Sequence, residues 1–389
     1  MGVSVKQFSL VFLVLALSAY GLWYITYRRY DLGWVTDDSL YYVDLVAHLT
    51  EGEPLPTDEA GRVPICSTAP LRYRVLTPLM VRGLSLLQLH RIWDPGVNRR
   101  PGLETDLEGL ANQRPRPTSQ SAADIDPREY RRIVYYFTLV DYLLMVAAAT
   151  VWFFFAQDAY RIAPYLALAG SLAFLLTYYN LVQSYQPHSD AGAHLLIVLL
   201  LWAYVADRWG WFFLGTFVSI AQKETILIVV GAFLLTELMR RRWWALKWLA
   251  ALVPALALYR LLWVVWPLPA NEQFEASFAW LTNLLVLVDP RTYFDPQFVM
   301  PHLIGNLPLL AALAAHAWLK GQGITVRFPM AQLLVFPMLF LLGTALTVNT
   351  GRVASLGTAI YLGYEVTIVA ALLEHTFSRS VKPTLATLP

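Results

Sequence analysis

Apolar runs of about 20 residues recur along the whole chain, and no other feature limits the fold as strongly. A run of that length crosses a bilayer core of about 30 Å as a helix. In hydrocarbon a helix satisfies its own backbone, so a chain built from such runs is expected to form an all-α, polytopic transmembrane bundle. Composition agrees: 57% of the 389 residues are hydrophobic and only 14% are charged, against about 25% charged in an ordinary soluble domain. The single cysteine, Cys66, rules out an intrachain disulfide and a cysteine-built metal site. The net charge of +2 says little, and no motif points to a nucleic-acid partner.

The N-terminal stretch has the marks of a signal peptide: Lys6, an apolar run, then the small residues of "LALSAYG". Apolar and aromatic character continues to Tyr27, however, which favours an uncleaved first span. Ten candidate spans follow from the hydropathy pattern: 7–27, 71–90, 132–156, 164–183, 191–207, 211–236, 243–266, 302–319, 328–348 and 353–373. Together they make one membrane domain over 1–375, with a short tail at 376–389. The second is the weakest, because Arg72, Arg74 and Arg82 interrupt it; an interfacial amphipathic helix is the alternative. The sixth is long enough to tilt or to be broken.

Lysine and arginine placement sets the expected orientation. The bias puts both termini on the cytoplasmic side, and the expected location is a bacterial plasma membrane. The same bias puts the acidic segment 28–70 outside and the polar, Pro-rich segment 91–131, with its many arginines, inside. This scheme requires 71–90 to cross. No internal repeat of fixed period is visible.

Ionisable groups within spans cost about 2.5–3.5 kcal/mol each at a helix centre, so each needs a reason. The first such group follows the first span. In "WVTDDSLYYVDLV", Asp37 and Asp38 adjoin a segment with helical apolar spacing. One acid suits a helix N-cap, and the other suits a general base or a metal held by a phosphate substrate. The segment itself reads as an amphipathic helix in the outer loop. Tyr41 and Tyr42 suit a sugar face and a bilayer interface equally.

Four later stretches carry polar groups as well. "APLRYRVLTPLM" holds Arg72 and Arg74, which suit lipid head groups or capture of a phosphate ester. "QSYQPHSDAGAH" holds His188, Asp190 and His194, a polar turn or a set of metal ligands of unfamiliar spacing. "AQKETIL" places Gln222, Lys223 and Glu224 in the middle of the sixth span, the most costly feature of the sequence. Lys223 and Glu224 point about 100° apart on a helix, so each is expected to reach a partner elsewhere. "NTGRVASLG" brings Arg352 to the connection before the last span, and Arg260 lies within the seventh.

Taken together, these stretches resemble the GT-C superfamily of integral-membrane glycosyltransferases, which use sugars carried on polyprenyl phosphate. The likeness covers about 37–360 and rests on the succession Asp37-Asp38, "LRYRVLTPLM", "QPHSDAGAHLL", "QKETIL" and "GRVAS". It implies an inverting transfer at the extracytoplasmic face. Asp37 or Asp38 would deprotonate the acceptor or help to bind a divalent metal, magnesium or manganese. Arg72, Arg74, Lys223 or Arg352 would hold the lipid phosphate, with Tyr41, Tyr42, His188, Asp190 and Glu224 in support. The implied partners are membrane lipid and a polyprenyl-phosphate sugar donor. Many members carry a soluble C-terminal domain, whereas this chain ends about 16 residues after its last span, so acceptor recognition is unexplained. Two other readings compete: a transporter or flippase of a lipid-linked or anionic substrate, and a non-catalytic subunit with a membrane-protein partner.

Overall fold

The computed structural model describes residues 4–31, 46, 76–92, 127–177, 190–223, 225–265, 306–346 and 356–385. Among these residues every element is helical. In chain order the helices are α1 (Val5–Asp31), α2 (Leu76–Ser85), α3 (Pro127–Tyr160), α4 (Pro164–Leu176), α5 (Asp190–Val205) and α6 (Trp209–Gln222). They continue with α7 (Thr225–Met239), α8 (Ala245–Val265), α9 (Leu307–Gly321), α10 (Val335–Leu346) and α11 (Thr358–Leu385). Short 3-10 turns cover Leu89–Arg91 and Met330–Leu334.

Two helices are long and apolar enough to cross a membrane: α1 over Val5–Ile25 and α3 over Arg132–Tyr160. They occupy opposite situations. The apolar stretch of α3 is 78% buried and that of α1 only 17%, so α3 is the central post and α1 stands at the periphery. Leu10, Leu13, Leu17 and Ile25 of α1 point outward, as do Val253, Leu256 and Leu261 of α8. Singly exposed leucines need no explanation, but rows of them along two helices do.

Side-chain contacts fix the direction of each helix. Phe8 stacks on Phe154 at 6.2 Å, while Tyr27 meets Tyr135 edge-on at 5.5 Å, so α1 and α3 are antiparallel. Phe174, near the end of α4, packs against His194, near the start of α5. The far end of α5 returns to the end of α3, where Trp202 Nε1 donates to Asp158 at 2.9 Å. Trp209 at the start of α6 and Tyr204 at the end of α5 both pack on Trp248 of α8. The bundle therefore has two faces. One carries the N-terminus, Tyr160, Glu237 and the short turns between helices; the other carries Tyr27, Asp190 and Lys223. They are called here the Glu237 face and the Lys223 face. Apart from α2, the ten described helices run between them in alternating directions.

Tight contacts hold the centre. Trp152 Nε1 of α3 donates to the carbonyl of Ala359 on α11 at 2.8 Å. Gly170 of α4 lies so close that a Cβ there would stand 2.5 Å from the Trp152 ring and 2.9 Å from Val366 of α11. Three helices meet at this point because one residue has no side chain. The short connections of the Glu237 face turn through left-handed residues, Arg161, Asp207 and Arg241, at φ of 58°, 52° and 58°, the usual way a helix is ended before a tight turn.

Two of the expected spans take another form. In 71–90, the described residues form no helix long enough to cross a bilayer. They comprise the 10-residue α2, about 15 Å long, followed by a 3-10 turn in which the His90 ring lies 2.7 Å from the Tyr136 hydroxyl. Arg82 and the polar residues after it leave too short an apolar run. Thr77 meets Gln222 and His90 meets Tyr136, so the described part, 76–92, has both its ends toward the Lys223 face. The second departure is 211–236, which is a hairpin of two helices, α6 and α7, that reverses at Lys223. One expected span is thus shortened and another divided in two, so the expected count of ten is not reproduced as ten membrane-length helices among the described residues.

The described flanks of 91–131, Ile92 and Pro127, sit on the same face as Asp31, the flank of 28–70. The segment expected on the side of the termini, 91–131, lies outside the described residues apart from these flanks. Both described chain ends, Ser4 and Leu385, remain on one face.

Candidate functional site

The break in the α6–α7 hairpin defines the Lys223 face. Helix α6 ends at Gln222, and Lys223 adopts extended backbone angles (φ −172°, ψ 119°). Its N–H still bonds the Ser219 carbonyl at 2.7 Å, and its own carbonyl accepts from Ile226 at 3.1 Å as α7 begins. The ammonium donates to Asp190 Oδ1 in a buried ion pair, the two side chains being 5% and 3% exposed.

Helix polarity favours this pairing. Asp190 opens α5, where unpaired N–H groups make a positive end, and Lys223 follows the last turn of α6, the negative end. The two helices are antiparallel, so each terminus carries the charge that suits it and the charges meet. Removing one partner would take away the other's counter-charge at a buried position.

Neighbouring polar groups continue the site. Gln222 Nε2 donates to Thr77 Oγ1 at 2.8 Å, and Thr77 Oγ1 donates to Gln222 Oε1 at 3.1 Å. Both residues are buried. This exchange ties α2 to the hairpin tip, one residue from Lys223. Gly192, in the first turn of α5, lets the Gln222 amide lie directly over its backbone. His194, one turn beyond Asp190, is 1% exposed and meets Phe174 edge-on. Neither of its ring nitrogens has a hydrogen-bond partner among the described residues.

Of the residues expected to form the site, Asp190 and Lys223 are thus joined. Asp37, Asp38, Tyr41, Tyr42, Arg72, Arg74, His188, Glu224 and Arg352 lie outside the described residues. So does the outer-loop amphipathic helix, except Val46, which is helical and buried. Three of them adjoin described residues of this site in the chain. Arg74 precedes Thr77 by three residues, His188 precedes Asp190 by two, and Glu224 follows Lys223. Arg352 falls between the ends of α10 and α11. Arg260 is exposed on the outside of α8 and takes no part. Among the described residues no three carboxylate, imidazole or thiol groups are grouped to hold a metal ion.

Two further groups escape a reading of the sequence. Asp141 is fully buried in the middle of α3, and an acid inside an apolar run is a visible signal. The other is Glu237, fully buried near the end of α7. Its Oε1 accepts from Arg240 at 2.7 Å and Gln332 at 3.0 Å; its Oε2 accepts from Arg242 at 2.8 Å and Tyr204 at 3.1 Å. Tyr160 extends the network by donating to Gln332 Oε1 at 3.2 Å. The signal here is "RRRWWALK", whose arginines bear on more than orientation.

No known family model matches the chain, and neither a curated protein nor a solved structure shows significant similarity to it.

Proposed function

We propose that the chain is an integral membrane glycosyltransferase of GT-C type, which moves a sugar from a polyprenyl-phosphate carrier to an acceptor hydroxyl at the extracytoplasmic face. One observation carries this reading. Described residues of three of the motifs, Thr77 of the second, Asp190 and His194 of the third and Gln222 and Lys223 of the fourth, lie around the buried Lys223–Asp190 pair. A topology in which 71–90 crosses divides those motifs between two faces.

Membrane insertion is supported by the outward apolar rows of α1 and α8 and by the Glu237 face. That face is rimmed with exposed Trp209, Trp211, Trp243, Trp244 and Trp318, the residue type that settles at bilayer interfaces. Its short connections carry Arg161, Arg208, Arg240, Arg241, Arg242 and Arg327, which suits the cytoplasmic side. Both termini are then cytoplasmic, and the Lys223 face is extracytoplasmic.

The chemistry needs two services. Asp37 or Asp38 accepts the acceptor's proton as its oxygen bonds to the anomeric carbon, or helps to hold a magnesium or manganese ion there. Cations from Arg72, Arg74, Lys223 or Arg352 balance the charge that develops on the phosphate as the sugar–oxygen bond breaks. General base help is worth roughly 10²–10⁴ in rate, and preorganised charge in a water-poor site often contributes more. The Asp190 carboxylate holds the Lys223 ammonium in place for that second service. The flippase reading asks Lys223, Glu224 and Arg260 to line one path, yet Lys223 is buried and Arg260 faces outward.

The test is turnover in proteoliposomes with a set of polyprenyl-phosphate sugars. The wild type is expected to release the polyprenyl phosphate from one of them. Asp37→Asn combined with Asp38→Asn is expected to abolish release while the protein still inserts. Unchanged release by that variant would overturn the proposal, as would a wild type inert toward every donor and acceptor.

A further inference from the structure

A cavity of about 440 Å³ opens on the Glu237 face, at the opposite end of the bundle from the motifs above. Three guanidinium groups line it: Arg240, Arg242 and Arg327. Glu237 is the single carboxylate in its wall. Both Glu237 oxygens are already engaged, so it acts as a brace that holds Arg240 and Arg242, each through one Nη1 atom. Arg327 makes no hydrogen bond or ion pair among the described residues, although it is exposed at the mouth of the cavity. Three cations against one carboxylate leave the wall with an excess of two positive charges. The rest of the wall is largely aromatic, including Tyr160, Tyr204, Trp244 and Phe328.

Such a wall selects a ligand by charge and shape. Guanidinium groups bind tetrahedral oxyanions through paired N–H donors, and an excess of two charges matches a phosphate. The volume falls within the range of small-molecule sites, about 300–1,000 Å³, and exceeds what a bare oxyanion fills. The aromatic side can cover an organic body attached to the phosphate. The exposed Trp243 and Trp244 beside it mark the level at which lipid head groups lie, and basic pockets between helices at that level take anionic head groups.

We infer that this cavity binds a phosphate-bearing anion, a phosphate ester or an anionic lipid head group, through Arg240, Arg242 and Arg327. The inference is independent of the transferase reading, since none of these residues lies on the Lys223 face.

The test uses the purified full-length protein in a neutral detergent, titrated calorimetrically with glycerol 3-phosphate and with dihexanoyl-phosphatidylglycerol. Saturable binding of at least one is expected. Arg327→Gln should weaken it by about tenfold, the loss of one charge-assisted contact, and Arg242→Gln by at least as much. Arg327 braces nothing, so Arg327→Gln should melt as the wild type does, which separates a binding defect from a folding one. Preference for glycerol 3-phosphate assigns the site to soluble phosphate esters, and binding of phosphatidylglycerol alone assigns it to lipid. No saturable binding of either probe, or equal binding by a folded Arg327→Gln, would overturn the inference.

Discussion

Lys223 and Asp190 stand 33 residues apart in the chain and meet inside the protein, the ammonium at the break between two helices and the carboxylate at the start of a third. Breaking a buried pair by removing one partner typically costs about 3–5 kcal/mol, whereas replacing both by apolar groups of similar size is often neutral. Lys223→Met and Asp190→Leu should therefore each lower the unfolding transition in detergent, and the double variant should recover most of the loss. If Lys223 also serves the phosphate, the recovered double variant stays inactive. A double variant as unstable as the singles would show that the pair is not the source of the effect.

Thr77 is the described link between α2 and the hairpin tip. Thr77→Val keeps the shape but removes both hydrogen bonds, leaving the buried Gln222 amide short of a partner. The expected cost is about 1–3 kcal/mol. The same change should loosen α2, which hydrogen–deuterium exchange over Leu76–Ser85 would detect as faster exchange there than in α3.

Gly170 allows α4, α3 and α11 to meet. A methyl group there would overlap the Trp152 ring, which its bond to the Ala359 carbonyl holds in place. Gly170→Ala is predicted to destabilise by about 1–3 kcal/mol through overpacking. Trp152→Phe would give way to the methyl group only by giving up that bond, so combining the two changes should not restore wild-type stability.

The helical class was legible from hydropathy alone, because apolar runs and backbone satisfaction leave little choice. Nine of the ten expected windows contain a described helix of 12 residues or more, two of them long and apolar enough to cross a membrane. The length of 211–236 allowed a tilt or a break, but Lys223 and Glu224 were read as helical neighbours, and the break falls at Lys223. What hydropathy could not reveal was that the chain reverses there: a bend and a reversal have the same composition. The fate of 71–90 turned on Arg82 and on contacts from Thr77 and His90 to residues far along the chain. The Glu237 network was hidden for the same reason, because its partners Tyr160, Tyr204 and Gln332 come from three separate helices or turns. A local pattern shows that a polar group needs a partner, but the fold decides which one it finds.

The central claim is that the acidic segment after α1 and the segment 91–131 leave the bundle from the face that carries Lys223, opposite the turn after α9. Cysteine labelling in sealed, oriented vesicles tests this directly. A membrane-impermeant maleimide would be applied to the wild type, whose one thiol is Cys66, and to Cys66→Ser variants carrying Ser119→Cys or Gln322→Cys. Cys66 and the thiol at position 119 should react from one side and the thiol at position 322 from the other. Reaction of positions 119 and 322 from the same side would mean that 71–90 crosses after all, and the site assembled here would come apart.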